Sequence, residues 1–185
     1  MSDPILIETF AKEEPFENMG GCRPFGLALK EWIDELPAPI HGVVVEDTSY
    51  LPGTPPVGFV HTEDSANYKE SMKVGPGGPE WNTEFTCFYP GDSIKRRQNL
   101  ATAARHGLVI EVADNMDRNR RVGTVENPCE LTYEYATGGA GSSLNGYNLK
   151  FTWKSDAPAP WIDNDYVPSD FDAHLAEEAT TSNSD

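Results

Sequence analysis

The chain has 185 residues, enough for one hydrophobic core with extended arms, and a formal net charge of −16 from 30 acidic against 14 basic side chains. That balance works against a nucleic-acid binder, because an acid-rich surface repels the phosphate backbone. No apolar stretch approaches the ~20 residues a membrane helix requires, and the start of the chain lacks the basic and apolar regions of a secretory signal, so a soluble product of a cytoplasm is expected.

In chain order, the first predicted element is a short helix over 26–36, ended by Pro37, which disfavours helical backbone before it. Strands are expected at 43–45, 57–60 and 84–88. Between these strands, Pro52, Pro55, Pro56, Pro76 and Pro79 interrupt any ladder, and residues 52–79 carry little periodicity; they are expected to form a Pro-rich arm or insertion.

The second half is patterned more clearly. Asp92 is placed to cap a helix over 93–106, with Gly107 as its left-handed stop. Ile94, Leu100, Ala101 and Ala104 fall near one face, and Lys95, Arg96 and Arg97 charge the opposite side. A strand rich in branched residues follows at 108–113, then a polar turn at 114–120 and a short strand at 121–125. In 130–136, Leu131, Tyr133 and Tyr135 alternate with polar residues; in 147–153, Tyr147, Leu149, Phe151 and Trp153 do the same. Residues 137–146, which include Gly139 and Gly141, form a loop too long for a tight hairpin. These elements predict a mainly β, α+β core over 1–155 with one flanking helix, an antiparallel β-sandwich or rolled sheet. Residues 156–185 form an acidic tail without Lys or Arg, and its Trp161, Tyr166 and Phe171 are suited to docking in a neighbour's groove.

Chemistry-bearing motifs are absent from this pattern. Cys22, Cys87 and Cys129 are too dispersed for a disulfide framework or a zinc site and are read as reduced thiols; His41, His61, His106 and His174 are equally scattered. The glycine run at 138–146 lacks the Lys-Ser/Thr of a phosphate-binding loop, and there is no nucleophile elbow or H-E-x-x-H. Glu111, Asp114 and Asp117 could form a carboxylate cluster, but a strand end and polar turn attract acids for solvation alone. No catalytic residue, metal or cofactor is nominated, and a non-enzymatic protein is expected.

Seven of the 14 basic side chains, Lys95, Arg96, Arg97, Arg105, Arg118, Arg120 and Arg121, are concentrated in the helix and the hairpin after it. Such segregation fits a solvated helix face or a nucleic-acid patch, although no aromatics interleave with these arginines in the sequence; it also fits a basic edge that meets an acidic face on the next copy of the chain.

The run Gln98-Asn99-Leu100, then Arg105-His106-Gly107-Leu108-Val109-Ile110-Glu111-Val112, Asp114-Asn115, Arg121-Val122-Gly123-Thr124 and Asn145-Gly146-Tyr147-Asn148-Leu149-Lys150-Phe151-Thr152 before Pro158, resembles a family of virion structural proteins of tailed phages and prophages of gut bacteria. The likeness spans about residues 90–162. It implies a tail-tube or head-tail connector subunit in the virion that forms a homo-oligomeric ring, a hexamer or higher, beside neighbouring virion proteins. DNA would pass through without specific binding, kept off the wall by like charge. The ring contacts would then include Lys95, Arg96, Arg97, Arg118, Arg120, Arg121, Gly139, Gly141, Trp161, Tyr166 and Phe171. A capsid decoration or head-completion protein shares the same elements, and an acidic inhibitor of a basic partner shares the charge.

Overall fold

Strict alternation of Tyr147, Leu149, Phe151 and Trp153 with polar residues places four large side chains on one face of a strand, and all four are buried. A computed structural model of the chain describes residues 22–62, 64–114, 118–137 and 145–163. Its strands are β1 (Phe25–Leu29), β2 (Ile33–Glu35), β3 (Val43–Val44), β4 (Ser49–Tyr50), β5 (Val57–Phe59), β6 (Asn67–Gly75), β7 (Gly78–Pro90), β8 (Leu108–Ala113), β9 (Asn119–Val122), β10 (Glu130–Ala136), β11 (Gly146–Ser155) and β12 (Trp161–Ile162). One helix among the described residues, α1 (Ile94–Ala103), joins β7 to β8, so the chain is mainly β with a single helix, the α+β class its alternation predicts.

A six-stranded sheet in the order β3-β12-β9-β8-β1-β5 faces a four-stranded sheet in the order β10-β11-β7-β6, and β2 and β4 make a two-stranded ribbon. Phe25 of the larger sheet contacts Phe85 and Phe151 of the smaller edge to face, at 5.0 and 5.4 Å between ring centroids, and stacks on Phe59 at 4.8 Å. Phe59 in turn meets Tyr89 at 4.9 Å. These rings form the centre of a β-sandwich core. Its pairings are antiparallel except that β12 lies parallel to β3.

Several expectations are corrected. Residues 26–36 are not a helix but β1, a single 3-10 turn (Lys30–Trp32) and β2. β1 lies between β5 and β8, and Leu27, Ala28 and Leu29 are all buried, so the strand lacks the alternation that would have marked it. The Pro-rich arm expected over 52–79 contains β5 and all of β6, which forms with β7 a nine-pair hairpin turning at Pro76 and Gly77. Prolines there sit at the turn and at strand ends, where a missing N–H costs no ladder bond. Within the expected acidic tail, Trp161 and Ile162 form β12, which pairs with both β3 and β9 inside the larger sheet.

The helix also starts and stops differently. Ser93 is the N-cap, its Oγ accepting from the Arg96 amide at 3.2 Å, and Asp92 is used elsewhere. At the other end the chain leaves through Ala104 in right-handed backbone, not through a left-handed Gly107. Gly107 is needed for space, since a Cβ there would lie 2.4 Å from Pro128 Cγ. Leu100 and Ala103 are buried, whereas Ile94, expected on the inner face, is 80% exposed.

Gly123 carries the junction between the sheets, where Leu108 and Cys129 form an isolated bridge. Its φ is +97°, and a Cβ would stand 2.6 Å from the Leu108 carbonyl oxygen and 2.9 Å from the Cys129 amide nitrogen. Gly123→Ala is therefore expected to cost about 1–3 kcal/mol from backbone strain, with the clash adding to it; urea unfolding of the two chains measures the difference.

Candidate functional site

Alternation along four adjacent strands sends one set of side chains outward from the smaller sheet. Strand register brings Glu130, Thr132 and Glu134 of β10 beside Thr152, Lys150 and Asn148 of β11, then Glu84, Thr86 and Phe88 of β7, then Lys69 and Asn67 of β6. Further along, Lys154 of β11, Glu80 of β7 and Lys73 of β6 continue the same face. The charges fall into columns: acidic on β10, basic on β11, acidic on β7, basic on β6. Two inner columns are tied by Lys150 Nζ to Glu84 Oε2 at 2.6 Å and Lys154 Nζ to Glu80 Oε1 at 3.8 Å. On this face Thr86, Phe88, Thr132, Glu134, Asn148 and Lys150 line a groove of about 510 Å³.

Both outer columns belong to strands with one neighbour each among the described residues, β11 for β10 and β7 for β6. Lys69, Lys73, Glu130 and Glu134 are all exposed. Beyond the end of β11, which stops opposite Trp81, the β6–β7 hairpin continues through Lys73, Val74 and Gly75 as a two-stranded ribbon. Met72, level with the end of β11, and Val74, in the ribbon, are 49% and 78% exposed. An unpaired edge with exposed apolar side chains is a template for another strand.

The basic segment of the helix and hairpin is less available than its sequence suggests. Arg96 Nη1 donates to the Pro90 carbonyl at 2.7 Å while its guanidinium lies 5.0 Å from the Tyr89 ring centre. Arg97 Nη2 donates to Asp92 Oδ2 at 2.9 Å and lies over Tyr135; Lys95 is exposed. Asp92 also accepts a hydrogen bond from the Tyr147 hydroxyl, and that bond together with Arg97 holds its carboxyl below the usual range. Arg118 and Arg120 flank the half-exposed Trp161 at 5.5 and 4.7 Å, and Arg120 also reaches Asp114 and the Tyr68 ring. The arginines that stand apart from aromatics in the sequence thus stack on them in space. Gly139, Gly141, Tyr166 and Phe171 lie outside the described residues.

Arg121, expected among the ring contacts, is only 2% exposed: it lies on the face of β9 turned away from the sandwich core, buried beside Pro37, Tyr50 and Glu111. One nitrogen, Nη2, donates to the Pro37 carbonyl at 2.7 Å, and Nε and Nη1 are buried without a hydrogen-bond partner. Across the ladder stands Glu111. Burial pushes the Glu111 carboxyl up, Arg121 pulls it down, and Asp47 adds to the rise. Nearby, Tyr50 is pushed up to about 12, chiefly by burial and then by Glu111.

Because the native carboxyl of Glu111 has the raised pKa, the folded chain retains a proton that the unfolded chain has released once pH exceeds the ordinary glutamate value near 4.5. Stability from this group is therefore present below that value and declines as pH rises through the raised one. Glu111→Gln should flatten that decline, which urea unfolding across a pH series reads directly.

The carboxylates considered as a cluster hold separate tasks: Glu111 faces Arg121, Asp114 binds Arg120 and accepts from the Arg118 amide, and Asp117 lies outside the described residues. Among the described residues, no group of three or more His, Cys, Asp or Glu side chains is placed to hold a metal. Cys22, Cys87 and Cys129 are free and buried, and burial raises all three thiols. His61 is packed among carbonyls, with Nδ1 2.8 Å from the Thr62 oxygen and Nε2 3.3 Å from that of Arg23. No helix among the described residues is long and apolar enough to cross a membrane.

The charge columns were missed by sequence reasoning. Lys69 and Lys73, and Glu130 and Glu134, are visible as like charges four apart, but only strand register shows that they stand on one face at opposite edges of one sheet. No family model, curated protein or solved structure matches the chain.

Proposed function

We propose that this chain is a structural subunit of a phage virion that self-assembles into a ring of a tail tube or head-tail connector around a DNA channel. One observation carries the self-assembly: the four-stranded sheet ends in two long strands, each with a single neighbour among the described residues, and the β6 side exposes Met72 and Val74. Edge strands of this length are usually covered, and a second copy covers them without any new element. The virion context rests on the resemblance over residues 90–162, and the net charge of −16 suits a wall that DNA must pass without adhering. Neighbouring virion proteins are its further partners.

Light scattering with negative-stain microscopy on purified protein, across concentration and salt, tests this reading. Rings or stacked tubes are the expected result. A strict monomer at every concentration would overturn it.

A further inference from the structure

We propose that the four-stranded sheet runs on from one copy of the chain into the next, with β10 of one copy paired antiparallel to β6 of its neighbour. This deepens the self-assembly reading and rests on it, by naming the edges and the register.

Strand direction permits the join. Antiparallel pairings run throughout β10-β11-β7-β6, so a neighbour in the same orientation presents β6 antiparallel to β10. Such a contact is heterologous, the kind that gives a ring where the rotation between copies closes and a filament where it does not.

Charge selects the partner edge. Joining β10 to β6 sets Glu130 opposite the neighbour's Lys73 and Glu134 opposite its Lys69, because both pairs are spaced alike and antiparallel register inverts their order. Thr132 then faces Ser71. Columns that alternate acidic and basic within one copy continue across the join without a break. Pairing β10 with another β10, or β6 with another β6, offers like charges instead, which disfavours the symmetric alternatives.

Backbone phase agrees with the same register. Phe88 donates its N–H to Ser65 Oγ and its carbonyl accepts from the Thr62 amide, so the even-numbered residues of β7 direct their peptide groups toward the β6 side. Alternation then leaves the peptide groups of Tyr68, Glu70 and Met72 pointing out of the β6 edge. Carried the other way, through β11, it leaves those of Leu131, Tyr133 and Tyr135 pointing out of the β10 edge. The register places Leu131 opposite Met72 and Tyr133 opposite Glu70 as hydrogen-bonded pairs, and the join ends at Tyr135 and Tyr68, because the Tyr68 N–H is already held by the Cys22 thiol within its own copy. The charged pairs fall in the non-hydrogen-bonded positions, where side chains approach most closely. Half-exposed Met72 gains apolar cover from Leu131.

Four variants test the join by solution mass, with circular dichroism confirming the fold. Lys69→Glu with Lys73→Glu, and separately Glu130→Lys with Glu134→Lys, are each expected to lose the multimer. Mixing these two variants, or combining all four changes in one chain, should restore it. Because Lys69 and Lys73 also face Glu84 and Glu80 within the sheet, an uncharged variant keeps the test independent: Ser71→Cys with Thr132→Cys should give a disulfide-linked ladder under oxidation. Those two positions lie three strands apart within one copy, roughly 14 Å, too far to bridge internally.

Multimers that survive both reversals and yield no ladder would overturn the join while leaving self-assembly standing. Loss of assembly only on reversing Arg96 and Arg97 would move the interface to the helix. A wild-type chain that stays monomeric and unlinked would overturn the self-assembly reading itself.

Discussion

Phe25→Ala is expected to lower the free energy of unfolding by about 3–5 kcal/mol, the largest loss from any single truncation in this core. Phe25 is 2% exposed and touches Phe59 within its own sheet and both Phe85 and Phe151 across the sandwich. Removing the ring forfeits its transfer free energy and opens a cavity between two sheets whose backbones are held by their own ladders and so collapse only partly. Urea unfolding gives the comparison. A loss under about 1.5 kcal/mol, the range of a tolerated volume-conserving change, would mean that the sheets close over the gap and that Phe25 is not the centre of the core.

Arg121→Ala is expected to cost a similar amount, about 3–5 kcal/mol, for an electrostatic reason. The change strands Glu111 in a site already unfavourable to its charge and leaves the Pro37 carbonyl without its donor. Arg121 is itself poorly satisfied, with Nε and Nη1 lacking partners, and it acts on Glu111 through charge and not through a hydrogen bond, so the two together are a weak source of net stability. Arg121→Met combined with Glu111→Leu should recover most of the loss, because an apolar pair of similar volume removes both desolvation costs together. If the double variant is as unstable as Arg121→Ala, the deficit comes from lost packing around Pro37 and not from an orphaned charge.

Legibility followed burial on one face. β11 was plain because four large residues alternate with Asn148, Lys150 and Thr152, one side in the core and the other in water. β8 was equally readable from its branched residues. β1 failed because side chains on both of its faces are covered, Leu27 and Leu29 on one and Ala28 on the other, and a short apolar run resembles a helix turn. β6 failed because its side chains are largely exposed, so the core imposes no alternation on it; its turn, Pro76-Gly77, read as a break rather than a hairpin. The basic segment misled differently. Arg120 and Arg121 are adjacent, and adjacency on a strand sends one toward Trp161, Asp114 and Tyr68 and buries the other on the opposite face of the sheet beside Pro37 and Glu111, a separation that composition cannot express. The charge columns depend on register, which joins residues far apart in the chain.

The order of strands in the larger sheet has a kinetic consequence. β12 is inserted between β3 and β9, with Trp161 paired to Val43 and to Arg120, although it is the last strand described. On the ribosome, the β6–β7 hairpin has its partners within a few residues and is free to form early. The β3 edge must wait for a segment made more than a hundred residues later, so loop-closure entropy for that pairing is met only after nearly all the chain has emerged. Until then Val44 and the flank of β9 stay open to water and to other nascent chains, and the step that seals them is the one most exposed to competition from aggregation.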